Sequence, residues 1–313
     1  MMESKLTLAS SPHIHSGRST SRIMLDVIIA LCPAAIAGIV IFGWRAALVL
    51  AVTVGACVGF EALFNIIMKR EQTIGDLSAV VTGLLLGMNL PANIPIWQCV
   101  IGALFAMVVV KGLFGGLGNN PVNPAITARV FMLVAFGSMT KAAFPTVVDT
   151  ASGATPLALI AEGEAAPSLI NLFLGVHGGA IGETCAAALI AGGIYLLVRR
   201  VISWHIPVAF IGTVFVLSFF MEGFSITGAL TMVLAGGLMI GAIFMATDYV
   251  TSPVTPWGKI IFGVGAGVVT FLIRYFGVYP EGVSFAILLM NIVTPYINSW
   301  TKHKVFGTGG AKK

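Results

Sequence analysis

Ile23 to Gly43 read IMLDVIIALCPAAIAGIVIFG, a run whose single charge is Asp26. A helix of that length rises about 31 Å at ~1.5 Å per residue. The hydrocarbon core of a bilayer is ~30 Å thick. The rest of the chain repeats the pattern. Of its 313 residues 58% are hydrophobic and 9% are charged, against about 25% charged in soluble domains. Mean hydropathy is +1.00. So much apolar surface can be covered only by lipid, and the chain reads as an all-α polytopic membrane protein.

Nine further apolar runs follow, at 46–68, 77–91, 94–111, 124–140, 180–198, 205–221, 226–246, 257–276 and 282–300. They predict about ten transmembrane helices. The runs at 77–91 and 124–140 are short for a full span, which points to broken or re-entrant helices. No A-x-A cleavage site follows the first run, so it is expected to be a retained span and not a signal peptide. Cys32, Cys57, Cys99 and Cys185 lie in apolar stretches without CxxC spacing, and read as buried small hydrophobes.

Orientation follows from the cations. Lys5, Arg18, Arg22, Lys69, Arg70, Lys111, Arg129, Arg199, Arg200, Lys259, Lys302, Lys304, Lys312 and Lys313 are assigned to one face, and Arg45, Lys141 and Arg274 to the other. Fourteen against three predicts both termini in the cytoplasm. The organisation expected is a cytoplasmic segment 1–22, a first transmembrane half 23–140, an extracytoplasmic loop 141–179, a second transmembrane half 180–300 and a basic tail 301–313. The net charge of +5 is then a topology signal and a contact for anionic lipid, not an argument for nucleic acid.

Pro121-Val122-Asn123-Pro124 and Pro253-Val254-Thr255-Pro256 stand 132 residues apart, and the spans before them align without a gap, Ile94 against Ile226. In each motif a capping side chain precedes a proline at the first helical position, a strong helix start. This suggests an internal repeat. The charge count puts both motifs on the same side, which conflicts with a simple inverted five-plus-five copy. Gly112, Gly115, Gly116 and Gly118 precede the first motif and permit close backbone approach. Free N–H groups at the two starts, with Arg129 and Lys259 nearby, would make a positive pocket for an anionic or carbonyl group.

Acids inside spans are the candidates for cation handling. These are Glu61, with Asn65 on the same helix face, then Glu183, read as one turn inside its span, and Asp248 near a span end. Asp26 reads as interfacial, and His177 and His205 as solvated flanks. There is no metal-ligand spacing, nucleotide loop or catalytic triad.

Asp149 to Thr155 read DTASGAT within the one long polar loop. The heptad resembles a covalent flavinylation motif, in which the last hydroxyl, here Thr155, is esterified to the phosphate of FMN. A threonine hydroxyl is a poor nucleophile, so a separate enzyme must activate it. Gly153 and Ala154 leave Ser152 to Thr155 free to enter that enzyme, and Asp149 would be a recognition residue.

The chain is similar to RnfD, a membrane component of the Rnf electron-transport complex. The likeness rests on Ser11-Pro12-His13-Ile14, Arg18 to Val27, Gly115 to Ala125, Ser152 to Thr155 and Ala246 to Pro256, and spans almost the whole chain. NqrB, of the sodium-pumping NADH:quinone reductase, is a close relative, and the 313-residue length favours the Rnf member. The resemblance implies a ten-helix subunit of a complex coupling electron transfer between ferredoxin and NAD to Na⁺ or H⁺ movement across the inner membrane. It implies FMN on Thr155, a flavin transferase for maturation, and a second, non-covalent flavin, riboflavin, within the helices. The stretch carrying Asn120, Asn123 and Arg129, together with Lys259, is where that internal cofactor is expected. Ferredoxin and NAD would bind other subunits. The alternatives are a component like NqrB of the quinone reductase, or a flavin-free secondary transporter or channel.

A cysteine introduced at Ser168 should react with an impermeant reagent added to intact cells. Labelling only after lysis would overturn the topology.

Overall fold

Side-chain caps start the helices where the sequence places them. The Ser19 hydroxyl accepts from Arg22 N–H to open α1 (Thr20–Phe42). The Asn123 carbonyl accepts from Ala125 and Ile126 N–H to open α5 (Pro124–Ala135), and Thr255 accepts from Gly258 N–H to open α12 (Pro256–Phe276). Each satisfies amides that a helix start leaves free. The computed structural model describes residues 19–140, 143–145, 155–162, 167–277 and 282–302.

Each of the ten apolar runs contains a helix. Among the described residues four helices are long and apolar enough to cross a bilayer unaided, namely α1, α2 (Trp44–Ile67), α12 and α13 (Val283–Thr301). A fifth candidate is bent by 69° between α10 (Ile226–Leu234) and α11 (Leu238–Ile240), which runs on as a π-helical turn, Gly241–Met245. The others are shorter: α3 (Ser78–Met88), α4 (Ile96–Leu104) with its π-helical extension Phe105–Gly112, α5, α8 (Ala186–Val198) and α9 (His205–Met221). Two one-and-a-half-turn helices, α6 (Pro156–Ala161) and α7 (Leu169–Leu174), lie between the halves. The chain is a multi-pass membrane protein.

Cross-links place alternate helix ends together. Asp26, near the start of α1, accepts from Tyr195 and Arg199 at the end of α8. Ser21 bonds the carbonyl of Gly75, between α2 and α3. Arg70, just after α2, reaches the carbonyl of Gly112. Asn123 reaches that of Met245, and Thr255 bonds Thr301 at the end of α13. This is the basic end of the bundle. Thr155 lies toward the other, the loop end.

The packing pairs α1 with α8 and α5 with α13, while α2 lies on α3 and α4, and α9 on α10 and α12. Because α1 begins and α8 finishes at the basic end, α1–α5 and α8–α13 are two inverted halves. The Pro-Val-x-Pro likeness does not follow this repeat. It relates α5, fifth unit of its half, to α12, fourth of the other.

Several helices stop short. α3, with 11 residues, rises about 16 Å and α8, with 13, about 20 Å, so each reaches roughly the middle of a ~30 Å core. Backbone freed where they stop is paired internally. Ile181 N–H donates to Leu90 C=O at 3.1 Å and Gly182 N–H to Met88 C=O at 2.7 Å. Arg274 donates to the carbonyls of Met232 (2.5 Å) and Ala235 (3.1 Å) where α10 ends. Lipid offers no such partners, so the protein must.

Gly83 lets α3 sit on the backbone of α2. A Cβ there would lie 2.7 Å from Val54 Cα and 2.9 Å from Thr53 O. Gly83→Val should lower stability by about 1–3 kcal/mol through overpacking, read as an earlier thermal midpoint in detergent. An unchanged midpoint would show that α3 can move off α2 freely.

Candidate functional site

Polar side chains gather at three places inside the apolar bundle. The first is near the basic end. Glu61 on α2 is 6% exposed and Lys111, in the π-helical end of α4, is 3% exposed. Lys111 Nζ donates to Glu61 Oε1 at 2.5 Å and to Ser78 Oγ at 2.6 Å. Thr73 donates to the same carboxylate oxygen at 3.0 Å, and Asn65 Nδ2 to Thr73 at 3.1 Å. Glu61 Oε2 is buried without a hydrogen-bond partner. Beside it lies a cavity of about 290 Å³ lined by Glu61, Asn65, Arg70, Thr73 and Lys111 among others. The π turns matter here, because they shift side chains out of α-helical register. Sequence reading placed Lys111 and Arg129 among the surface cations. Both are buried, so the face count falls from fourteen to twelve (14 − 2) against three.

The second place is a cleft at the start of α5, bounded by α1, α3, α8 and the π turn after α11. Its cavity volume is about 80 Å³. Asn120, Asn123, Lys111, Thr247 and Asp248 line it together with apolar side chains. Asn120 Oδ1 is a buried acceptor with no partner. Asn123 is committed to capping α5. Burial pushes the Asp248 carboxyl above its ordinary range, against hydrogen bonds from Val250 N–H and Thr251 that hold it down. The start at Pro256 lies elsewhere. It packs by the end of α13, and neither Pro256 nor Lys259 lines the cleft.

The third place is at mid-depth. Arg129 on α5 donates to Glu183 Oε1 at 2.6 Å and to Asn89 Oδ1 at the end of α3. The two charges are 4% and 3% exposed. Glu183 stands in the turn before α8, which begins at Ala186 and not at 180 as the apolar run suggested. Gly237, between α10 and α11, abuts both, since a Cβ on it would lie 2.9 Å from Glu183 Oε1 and 3.2 Å from Arg129 Nη1. Asn89 was missed from sequence. Its one signal is a polar residue within the short run 77–91. His177 is buried beside this turn, with Nδ1 3.0 Å from Gly178 O. Desolvation lowers its pKa, more than Gly178 O and Glu183 raise it.

Thr155 sits apart from all three. Its hydroxyl is half-buried and caps α6, accepting from Ala158 N–H at 3.2 Å. Leu157 anchors that helix against Met232 and Ala235, by the α10–α11 break. Asp149, Ser152, Gly153 and Ala154 lie outside the described residues. Among the described residues no three His, Cys, Asp or Glu side chains form a metal-ligand set.

The sequence profile of the NQR2, RnfD, RnfE family matches residues 7–307. The chain is 46% identical over 319 residues to the D component of the Na(+)-translocating ferredoxin:NAD(+) oxidoreductase complex of Acetobacterium woodii, covering 100% of this chain and 99% of that one. It is 42% identical to the D component of the proton-translocating ferredoxin:NAD(+) oxidoreductase complex of Clostridium ljungdahlii, over 96% of each. It is 36% identical to the D component of the ion-translocating oxidoreductase complex of Escherichia fergusonii, over 96% of this chain and 98% of that one.

Breaking a buried ion pair strands a charge, which costs about 3–5 kcal/mol, whereas removing both partners is far milder. Lys111→Met should therefore lower the thermal midpoint more than Lys111→Met with Glu61→Gln. A double variant no more stable than the single would show that Glu61 is not held ionised by Lys111.

Proposed function

The chain belongs to the NQR2, RnfD, RnfE family, and on that premise we propose that it is the membrane subunit of an ion-translocating ferredoxin:NAD⁺ oxidoreductase complex. The observation that carries the proposal is the likeness along the whole length to proteins so described, 46% and 42% identical. The bundle is suited to the role. It buries ionisable groups that lipid would otherwise exclude, each held by a partner. The complex would lie in the cytoplasmic membrane with both chain termini on the cytoplasmic side, and its other subunits would bind ferredoxin and NAD.

Thr155 would carry FMN as a phosphoester installed by a flavin transferase. The residue fits that attachment. It is half-buried at the loop end, and among the described residues its hydroxyl serves as a helix cap. The cleft at α5 would hold riboflavin non-covalently. Asn120 lines it, and its Oδ1, a buried acceptor without a hydrogen-bond partner, is the group a ligand N–H or O–H would satisfy. A flavin supplies the one- and two-electron chemistry that no side chain of this protein offers. Glu61, Glu183 and Asp248 are the acids assigned to the ion path. Glu61 has the clearest geometry: one carboxylate oxygen is tied to Lys111, the other is buried without a hydrogen-bond partner, and the residue lines a cavity. The relatives named for Na⁺ and for protons are nearly equally similar, and an oxygen site of this kind can take either ion.

Thr155→Val keeps the side-chain shape and removes the hydroxyl. In complex produced with the transferase, the denatured band of this variant should lose its flavin fluorescence, while flavin extractable by acid remains bound to the native protein. Persistence of covalent flavin would remove the Thr155 assignment. Absence of any flavin from the unaltered protein would favour a transporter or channel instead.

A further inference from the structure

The Arg129–Glu183 pair answers a problem posed by the fold. At mid-depth α3 ends, α8 begins and the α10–α11 span breaks. Ends of broken helices expose backbone dipoles, and such polar backbone lines ion paths in other membrane proteins. On the basic side of this junction lies the cleft, with Leu85, Ala125 and Phe244 among its lining. One turn further along α3 and α5 stand Asn89 and Arg129. On the other side come the 177–184 turn and the Leu157 contact of α6. The guanidinium therefore stands between the cleft and the loop end.

We propose that Arg129, fixed by Glu183 and Asn89, is the permeability barrier of this protein, the point at which ions are stopped from leaking between the two ends. The inference rests on the reading of the chain as part of an ion-translocating complex. Stability alone is a poor reason for these charges. Burying an ion pair costs several kcal/mol per ion, and apolar side chains of similar volume are often as stable or more so. A positive charge held in a constriction, however, raises an electrostatic barrier to cations and protons. Arginine suits this role because it does not lose its proton. Glu183 and Asn89 hold it from two different broken elements, so the barrier and the junction are the same object. The backbone packs closely around the pair. Gly237 and Gly182 have no space for a Cβ, the second lying 2.6 Å from Met88 Cβ were one present.

The test uses the assembled complex in liposomes, with no ferredoxin or NAD, and reads passive Na⁺ uptake and decay of an imposed pH gradient. Arg129→Gln should raise the leak about tenfold, the factor for a barrier lower by ~1.4 kcal/mol. Arg129→Lys keeps the charge and should stay near the unaltered leak, which a purely structural role would not predict. If Arg129→Gln fails to assemble, the double variant Arg129→Gln/Glu183→Gln carries the test, since it keeps the volumes and strands no charge. A neutral variant that assembles with unaltered leak overturns the proposal. So does failure of every neutral variant to assemble, which would make the pair structural. If the unaltered complex does not couple ferredoxin-dependent NAD⁺ reduction to ion uptake, the functional reading fails instead, and the leak comparison still stands.

Discussion

Broken helices inside a bilayer must find their hydrogen-bond partners within the protein, and the rest of this structure depends on how that is met. An unpaired amide or carbonyl in hydrocarbon costs several kcal/mol. Here the chain solves the problem by bringing the breaks together. The strand-like contact of Met88 and Leu90 with Ile181 and Gly182 joins the end of α3 to the approach to α8. Arg274 closes the end of α10. Arg129 then ties α5 to both α3 and α8 through side chains. The inverted halves are thereby held by polar contacts at their shared centre, as they are at the basic end by Asp26 with Tyr195 and Arg199.

Much of this was legible in the sequence. Ten apolar runs gave ten helical segments, and the capped prolines at 124 and 256 gave two helix starts to the residue. What failed was pairing. Lys111 and Arg129 were counted with the cations of one face, and neither was paired with an acid. Their acids lie 50 and 54 residues away, and a single sequence carries no signal of such pairs. The start of α8 was set too early because Ile181 is apolar, although the glycines at 178, 179 and 182 favour a turn there. The Pro-Val-x-Pro likeness is real as a local device. It marks the same sequence of π turn, loop and capped start twice, but the packing symmetry runs through different helices. Local chemistry recurs wherever it is useful, whereas a fold repeat is defined by partners.

The same logic sorts the polar residues by what they can do. Asn123 is spent on backbone, capping α5 and bonding Met245 O. Asn120, three residues earlier, lines the cleft, and its Oδ1 is buried without a hydrogen-bond partner. Two asparagines in one motif thus differ in what satisfies them, and only their surroundings tell them apart.

The two buried ion pairs divide in a similar way, and the division follows from the cations. A lysine ammonium is a compact charge on a flexible stem, able to rotate among acceptors and to lose its proton when buried. Lys111 shares its donors between Glu61 and Ser78, and both Lys111 and Glu61 line a cavity. Arg129 keeps its charge, and its donors are held by acceptors on two separate elements. The two pairs therefore stand at different depths, Lys111–Glu61 toward the basic end and Arg129–Glu183 where α3 ends and the turn before α8 begins.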